Sequence, residues 1–296
     1  MAAPIIAAEA GFNFQDDISY CKKSTKMGMW NVTKPKKLTT LALGCLLLAT
    51  PALAEGKIFI AGDSTAANYK PERFPQMGWG MLLKCNLDGS QSVENRAMGG
   101  RSTKTFIGEG RFDAIAKDIT AGDTLLIQFG HNDANDKKPE RYTPVTEFKT
   151  NLLRFIAMAR EKGATPVLIT PVAIRKFEEN GAIGESLTPY ANATREVAHA
   201  TATPLIDLNY DSRVYLQKVG VEPSKAYYLH YPKEAGYKQW PDGVSDDVHF
   251  SEKGARAIAA LVASRLRALG LPVSAHVTPQ SPDDPPVIGT DACSAP

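Results

Sequence analysis

Gly62-Asp63-Ser64-Thr65 follows at once on an apolar run, Lys57–Ala61, and so presents a hydroxyl where a buried strand ends. A serine there caps a helix, lines an anion-binding turn or acts as a nucleophile, depending on whether a base and hydrogen-bond donors are supplied elsewhere. A second block, Asn95-Arg96-Ala97-Met98-Gly99-Gly100-Arg101-Ser102, places two glycines where backbone N–H groups can approach a ligand closely, or where the chain simply turns. A third, Phe129-Gly130-His131-Asn132-Asp133, offers the amide of Asn132; a turn asparagine is the plainer reading. His131 is a rival base, although a histidine beside a turn is more often structural. The fourth is Asp246-Asp247-Val248-His249. A spacing of three in a turn lets the Asp246 carboxylate accept the Nδ1 proton of His249 and leaves Nε2 free to face a hydroxyl. Asp247 is the rival partner, and the spacing favours Asp246. The other histidines, His199, His230 and His276, show no ligand spacing, so no metal site is expected. A serine, an oriented imidazole and two donor sites are what acyl transfer requires.

These blocks need a frame that brings them to one place. Continuous apolar runs at Lys57–Ala61, Thr124–Phe129, Thr165–Thr170 and Pro204–Ile206, with a weaker one at Ser92–Asn95, read as strands buried on both faces of a parallel sheet. Helical patterns alternate with them. Thr143 caps a helix with Pro144 at its first position, Phe148, Leu152, Phe155, Ile156 and Ala159 form its stripe, and Gly163 closes it. Ser251 caps another, with Ala255, Ile258, Ala259, Val262, Leu266 and Leu269 at helical spacing and Gly270 at its end. Tyr190–Ala200 and Phe112–Lys117 complete the helical candidates. Alternation of this kind predicts a three-layer α/β domain with a parallel central sheet. Ligands of such sheets sit beyond the carboxyl ends of the strands, and all four blocks fall there.

The chain has 296 residues, a formal net charge of +2 and 43% hydrophobic residues. No concentrated basic face is available, so a nucleic-acid partner is not expected. Residues 1–54 stand apart: Lys34, Lys36 and Lys37 precede the uncharged Leu41–Ala49, and Pro51-Ala52-Leu53-Ala54 ends in a small-x-small site. That is the pattern of a secretory signal, with an apolar run too short for lasting membrane insertion. Met27 or Met29 would start a signal of ordinary length, and Cys45 raises a lipoprotein alternative that the apolar residues after it disfavour. The expected organisation is residues 1–54 as upstream segment and signal, 55–270 as the domain, and 271–296 as a proline-rich disordered tail. The mature chain would carry only Cys85 and Cys293, either paired in an oxidising compartment or both free.

The ordered set GDST, NRAMGGRS, FGHND and DDVHF resembles the SGNH (GDSL-like) hydrolases, and their rhamnogalacturonan acetylesterase branch in particular, over Lys57–Gly270. The resemblance implies a flavodoxin-like αβα sandwich working without metal or cofactor. It implies Ser64 as nucleophile, His249 as base and Asp246 as its orienter, with an oxyanion hole from the N–H groups of Ser64 and Gly100 and the side-chain amide of Asn132. Val248 departs from the branch, which often has threonine before the histidine. The activity implied is removal of O-acetyl groups from a polysaccharide such as pectic rhamnogalacturonan by a secreted or periplasmic monomer. Acetylxylan or lipid esterase activity and non-catalytic glycan binding are the alternatives. Arg101, with Lys104 and Lys238, is a candidate for substrate carboxylates, and Trp79, Tyr237 and Trp240 for stacking on sugars.

Overall fold

The structure, a computed structural model, describes residues 56–283. The apolar runs pair as expected. Strands β1 (Ile58–Gly62), β2 (Val93–Asn95), β3 (Thr124–Gln128), β4 (Thr165–Ile169) and β5 (Leu205–Ile206) form a sheet in the order 2-1-3-4-5. Every neighbouring pair is parallel, with Ile58 beside both Val93 and Thr124, and Thr124 beside Thr165. This is the flavodoxin-like order, and its switch point lies between β1 and β3, where the chain leaves β1 first to one side and then to the other.

Alternation along the strands sorts the core into two faces. Ile58 and Ile60 of β1, Leu126 of β3 and Val167 and Ile169 of β4 pack under α1 (Trp79–Leu82), α6 (Leu208–Val219) and α7 (Glu252–Ala268). Phe59 and Ala61, Leu125 and Ile127, and Leu168 face the other way, under α2 (Thr103–Gly108), α3 (Arg111–Asp118), α4 (Val145–Glu161) and α5 (Thr188–Ala200). The second face is the aromatic one: Phe155 meets Phe106, Phe112 and Phe129 at ring separations of 6.0, 5.1 and 5.7 Å.

Ser251 caps α7, its hydroxyl accepting from the Gly254 N–H, and Gly270 follows the helix at φ 64°. The α4 boundary differs by one residue: Pro144 is the N-cap and Val145 opens the helix. Thr143 turns its hydroxyl to the carbonyl of Arg141 instead. A small antiparallel sheet, β6 (Tyr228–Tyr231) with β7 (Val244–Phe250), was not apparent in the sequence pattern, which placed the last block in a simple turn.

The chain beyond Gly270 also departs from expectation. A 3₁₀ turn at Pro272–His276 is followed by a bridge from Val277 to Leu87 and hydrogen bonds from Thr278 and Gln280 to Asn86. Tyr215 donates to the carbonyl of Pro282. Residues 271–283 are therefore part of the domain: composition alone missed the two valines, Val273 and Val277, that anchor them in the core. The proposed signal and residues 284–296, including Cys293, lie outside the described residues; Cys85 is disulfide-bonded.

One contact fixes how α7 sits behind β7. A Cβ on Gly254 would fall 1.8 Å from the carbonyl oxygen of Tyr227. Gly254→Ala is expected to push the helix start off its seat and destabilise the domain by about 1–3 kcal/mol, read as a lower midpoint in denaturant with an unchanged slope.

Candidate active site

From Ile58 to Ala67 only Ser64 is more than marginally exposed. The turn that lifts it out is tied from below. Buried Asp63 accepts from the Thr65 N–H and hydroxyl at 2.9 and 2.8 Å. The Thr65 hydroxyl and the Trp79 indole N–H reach Gln128 Oε1 at the end of β3, at 3.0 and 2.9 Å. Tyr69 donates to the Ser64 carbonyl at 2.8 Å. Gly62 allows β1 and β3 this close approach, since a Cβ there would lie 2.9 Å from the Gln128 carbonyl.

His249 comes from the bulged part of β7. Leu229 pairs with Asp246 and Tyr228 with Phe250, so two neighbours on β6 face a five-residue span on β7. The extra residues fold the strand over itself and bring positions i and i+3 together. Asp246 Oδ1 accepts from the N–H groups of Val248 and His249 at 2.7 and 3.0 Å. Its Oδ2 lies 2.7 Å from His249 Nδ1, and His249 Nε2 lies 3.0 Å from Ser64 Oγ. Burial pushes the Asp246 carboxyl upward, but the bonds from His249 and Val248 outweigh it and hold it at about 2. A carboxylate so held fixes the Nδ1–H tautomer and leaves Nε2 as an acceptor for the hydroxyl proton.

Asp247, the rival, has other partners. Its carboxylate takes 2.8 Å bonds from Arg175 Nη1 and His230 Nε2, and its carbonyl accepts from the Arg175 N–H. Arg175, 8% exposed, also binds Ser224 and the Val221 carbonyl. It was invisible in the sequence, because nothing near Pro171–Lys176 marks one arginine as a partner for residues more than 70 positions on.

Gly100 stands at φ 79°, which a side chain resists. Among the described residues, neither its N–H nor that of Ser64 donates to a protein acceptor. Asn132 is 7% exposed and gives one amide N–H to the Arg101 carbonyl at 3.0 Å, which leaves the other for a ligand. Ser64, Gly100, Asn132, His249 and Asp246 line one cavity of about 570 Å³, together with His131, Asp136, Lys137, Arg141, Ile174, Leu187 and Val248.

The proposed substrate contacts need correction. Trp79 is fully buried, its indole spent on Gln128, so it has no face for a sugar. Arg101 is committed to Glu109 and to the Gly99 carbonyl. Tyr237 and Trp240 pack edge to face at 6.2 Å, with Arg73 over Trp240, and neither lines the cavity.

His131 lies behind the serine, Nδ1 3.3 Å from Asp63 Oδ2. Burial raises the Asp63 carboxyl, yet His131 and Thr65 more than offset this and its pKa is lowered. Asp133 has the opposite fate. Burial drives it up to about 7, against bonds from Thr103 and Thr143 and with the Asp63 charge adding to the rise.

A model of the GDSL-like lipase/acylhydrolase family matches residues 60–257. The chain belongs to this family of ester hydrolases. It is 43% identical to rhamnogalacturonan acetylesterase RhgT of Bacillus subtilis (strain 168) over 75% of this chain and 94% of that one. The crystal structure of YxiM from Bacillus subtilis superposes with a TM-score of 0.64 at 30% identity, over 74% of this chain and 58% of that chain. An acetylxylan esterase from Geobacillus stearothermophilus shares the fold, with a TM-score of 0.51 at 16% identity over 74% of this chain and 96% of that one.

The raised Asp133 carboxyl has a measurable consequence. Its folded pKa of about 7 exceeds the ordinary 3.8, so between those values the folded chain keeps a proton that the unfolded chain releases. Stability from this group therefore falls as pH rises through that window, by at most about 1.4 kcal/mol per pH unit. Asp133→Asn keeps an acceptor for Thr103 and removes the titration. Its melting temperature relative to wild type should climb from pH 4 to pH 8; a constant difference would show that Asp133 does not titrate there.

Proposed function

We propose that this chain is a secreted serine esterase that removes O-acetyl groups from a polysaccharide, pectic rhamnogalacturonan above all. The observation that carries the reading is the continuous line from Asp246 through His249 to Ser64, with bonds of 2.7 and 3.0 Å. The 43% identity to a rhamnogalacturonan acetylesterase, spread over nearly all of that relative, supports the substrate. The basic, apolar and small-residue succession within residues 1–54 supports export. The monomeric state belongs to the same proposal.

In the mechanism, His249 Nε2 takes the Ser64 proton as Oγ attacks the acetyl carbonyl carbon. Asp246 stabilises the imidazolium across Nδ1, and general-base assistance of this kind contributes about 10²–10⁴-fold. The carbonyl electron pair moves onto oxygen, which takes hydrogen bonds from the N–H groups of Ser64 and Gly100 and from Asn132 Nδ2. The tetrahedral intermediate collapses as His249 gives its proton to the departing sugar oxygen. Water, deprotonated by the same nitrogen, then attacks the acetyl-serine carbonyl, and the second tetrahedral intermediate collapses as His249 returns the proton to Ser64 Oγ, releasing acetate.

Ser64→Ala is expected to fold normally and to lose p-nitrophenyl acetate hydrolysis by about 10⁴-fold or more; near-native turnover would remove Ser64 from the reaction. Asn132→Ala should lower kcat by about 10²–10³-fold with little change in KM, because the amide acts on charge that develops only in the transition state. A loss confined to KM would contradict the donor role. Acetate released from acetylated rhamnogalacturonan, but far more slowly from acetylated xylan or long-chain esters, is the expected substrate order. A folded wild type that a serine-directed fluorophosphonate fails to label would point to a glycan binder instead.

A further inference from the structure

Among the described residues, every arginine but one has an acceptor, an acidic partner or an aromatic ring for its guanidinium. Arg73 has Gln76 and Trp240, Arg154 has the Phe112 ring, Arg213 has Glu185 and Arg267 has the Val277 carbonyl. The others are held by carboxylates or carbonyls in the same way. Arg141 is the exception. No hydrogen bond or ion pair engages its side chain, and its Nε is buried without a partner; Arg213 shares the unpartnered Nε but has Glu185 3.7 Å from its Nη1.

The side chain is not loose on the surface. Arg141 lines the cavity that holds Ser64, Asn132 and His249. Its Nη1 lies 3.6 Å from where a Cβ on Gly100 would stand, beside the presumed oxyanion donors. Its backbone is fixed by the bond from its N–H to the Lys138 carbonyl and by the Thr143 hydroxyl on its own carbonyl. Lys137 and Asp136, both exposed, add one charge of each sign to the lining. Of the acids there, Asp246 is committed to His249, and Asp136 is exposed.

A guanidinium held at a reactive centre with a buried, unpaired N–H is costly unless a ligand completes it. Its planar fork matches a carboxylate in bidentate fashion. A cavity of about 570 Å³ has room for a sugar unit. We propose that Arg141 binds the carboxylate of a uronate sugar in the substrate, at or next to the acetylated unit, and so sets the preference for acidic over neutral acetylated glycans. The proposal rests on the acetylesterase reading above and moves the carboxylate contact from Arg101 to Arg141.

The test compares one acetylated galacturonate oligosaccharide with its carboxyl methyl ester, in wild type, Arg141→Gln and Arg141→Lys. Wild type should favour the free acid, and the ratio of the two kcat/KM values should fall about tenfold or more in Arg141→Gln. The lysine variant should recover part of it, and salt should erode the wild-type ratio. Inhibition of p-nitrophenyl acetate hydrolysis by galacturonate oligomers, against neutral xylo-oligosaccharides, gives a readout that needs no sugar ester to turn over. The inhibition constant of the acidic oligomers should rise about tenfold in Arg141→Gln. Equal losses on both esters, with inhibition unchanged, would assign Arg141 to the acyl centre or to acetate and overturn the proposal. So would a wild type indifferent to the carboxylate. Failure of the acetylesterase reading looks different: p-nitrophenyl acetate turns over, no acetylated glycan does, and the inhibition arm still decides the case of Arg141.

Discussion

A hydroxyl and an imidazole separated by 185 residues have to meet at 3.0 Å, and most of the architecture around the cavity follows from that demand. The parallel sheet solves half of it. Because β1 and β3 run side by side with their carboxyl ends together, Ser64 and Asn132 reach the same crevice from turns that follow adjacent strands. The chain order 2-1-3-4-5 opens that crevice, since the connections from β1 and β3 leave in opposite directions. The sheet does not deliver the histidine. That falls to the β6–β7 ribbon, whose bulge carries residues 247–249 out of register and over the serine.

Holding a serine in the open requires polar groups beneath it, and those that bond to the turn are linked in a chain. Asp63, Thr65, Gln128 and Trp79 are joined side chain to side chain, with Gln128 Oε1 within bonding distance of two donors, the Thr65 hydroxyl and the Trp79 indole N–H. Two carboxyls, Asp63 and Asp133, are buried in this region, and they are driven apart in pKa. Asp63 has His131 and Thr65 against it and its pKa is lowered despite burial; Asp133 is pushed up by burial, against hydroxyl and amide partners, with the Asp63 charge adding to the rise. Burial raises both acids; what separates them is whether their partners offset that cost, as they do at Asp63 and do not at Asp133. The tempting sequence reading of His131 as a base gives way here: its ring nitrogen nearest a charge faces Asp63 rather than Ser64.

The sheet was legible in the sequence because fully buried parallel strands leave runs such as TLLIQ that no exposed element tolerates. Three of the chemical blocks were legible for a related reason: each follows a strand of the parallel sheet, so position in the chain already implied position in space. What stayed hidden depended on contacts between residues distant in sequence. Arg175 and Arg141 are ordinary arginines until the fold gives the guanidinium of one three acceptors and that of the other none among the described residues. Trp79 looked like a sugar platform because aromatic type is readable and burial is not; its indole N–H had a partner 49 residues away. The spacing of Asp246 and His249 reads as a turn; the bulge in β7 brings the same two residues together within a strand. The segment after Gly270 misled through its prolines, which mark a 3₁₀ turn packed on α7 as readily as a disordered tail.

Asp246 and Asp247 show why local spacing alone does not assign a role. They are neighbours of the same type, and each meets an imidazole, His249 or His230. The difference is what else each carboxylate touches. Asp246 accepts only from its own bulge, so its effect is confined to the ring three residues on. Asp247 ties the bulge to Arg175, which is anchored in turn to Ser224 and Val221 near the start of the ribbon. An ion pair with one member buried adds little net stability, since desolvation cancels most of the attraction. Its value here is geometric: it ties Asp247, in the middle of the irregular strand, and Val221 and Ser224, ahead of β6, to one buried guanidinium. With that clamp on one residue, the adjacent carboxylate is free to orient a base, and a bulge that would otherwise slip in register keeps an imidazole within bonding distance of the serine.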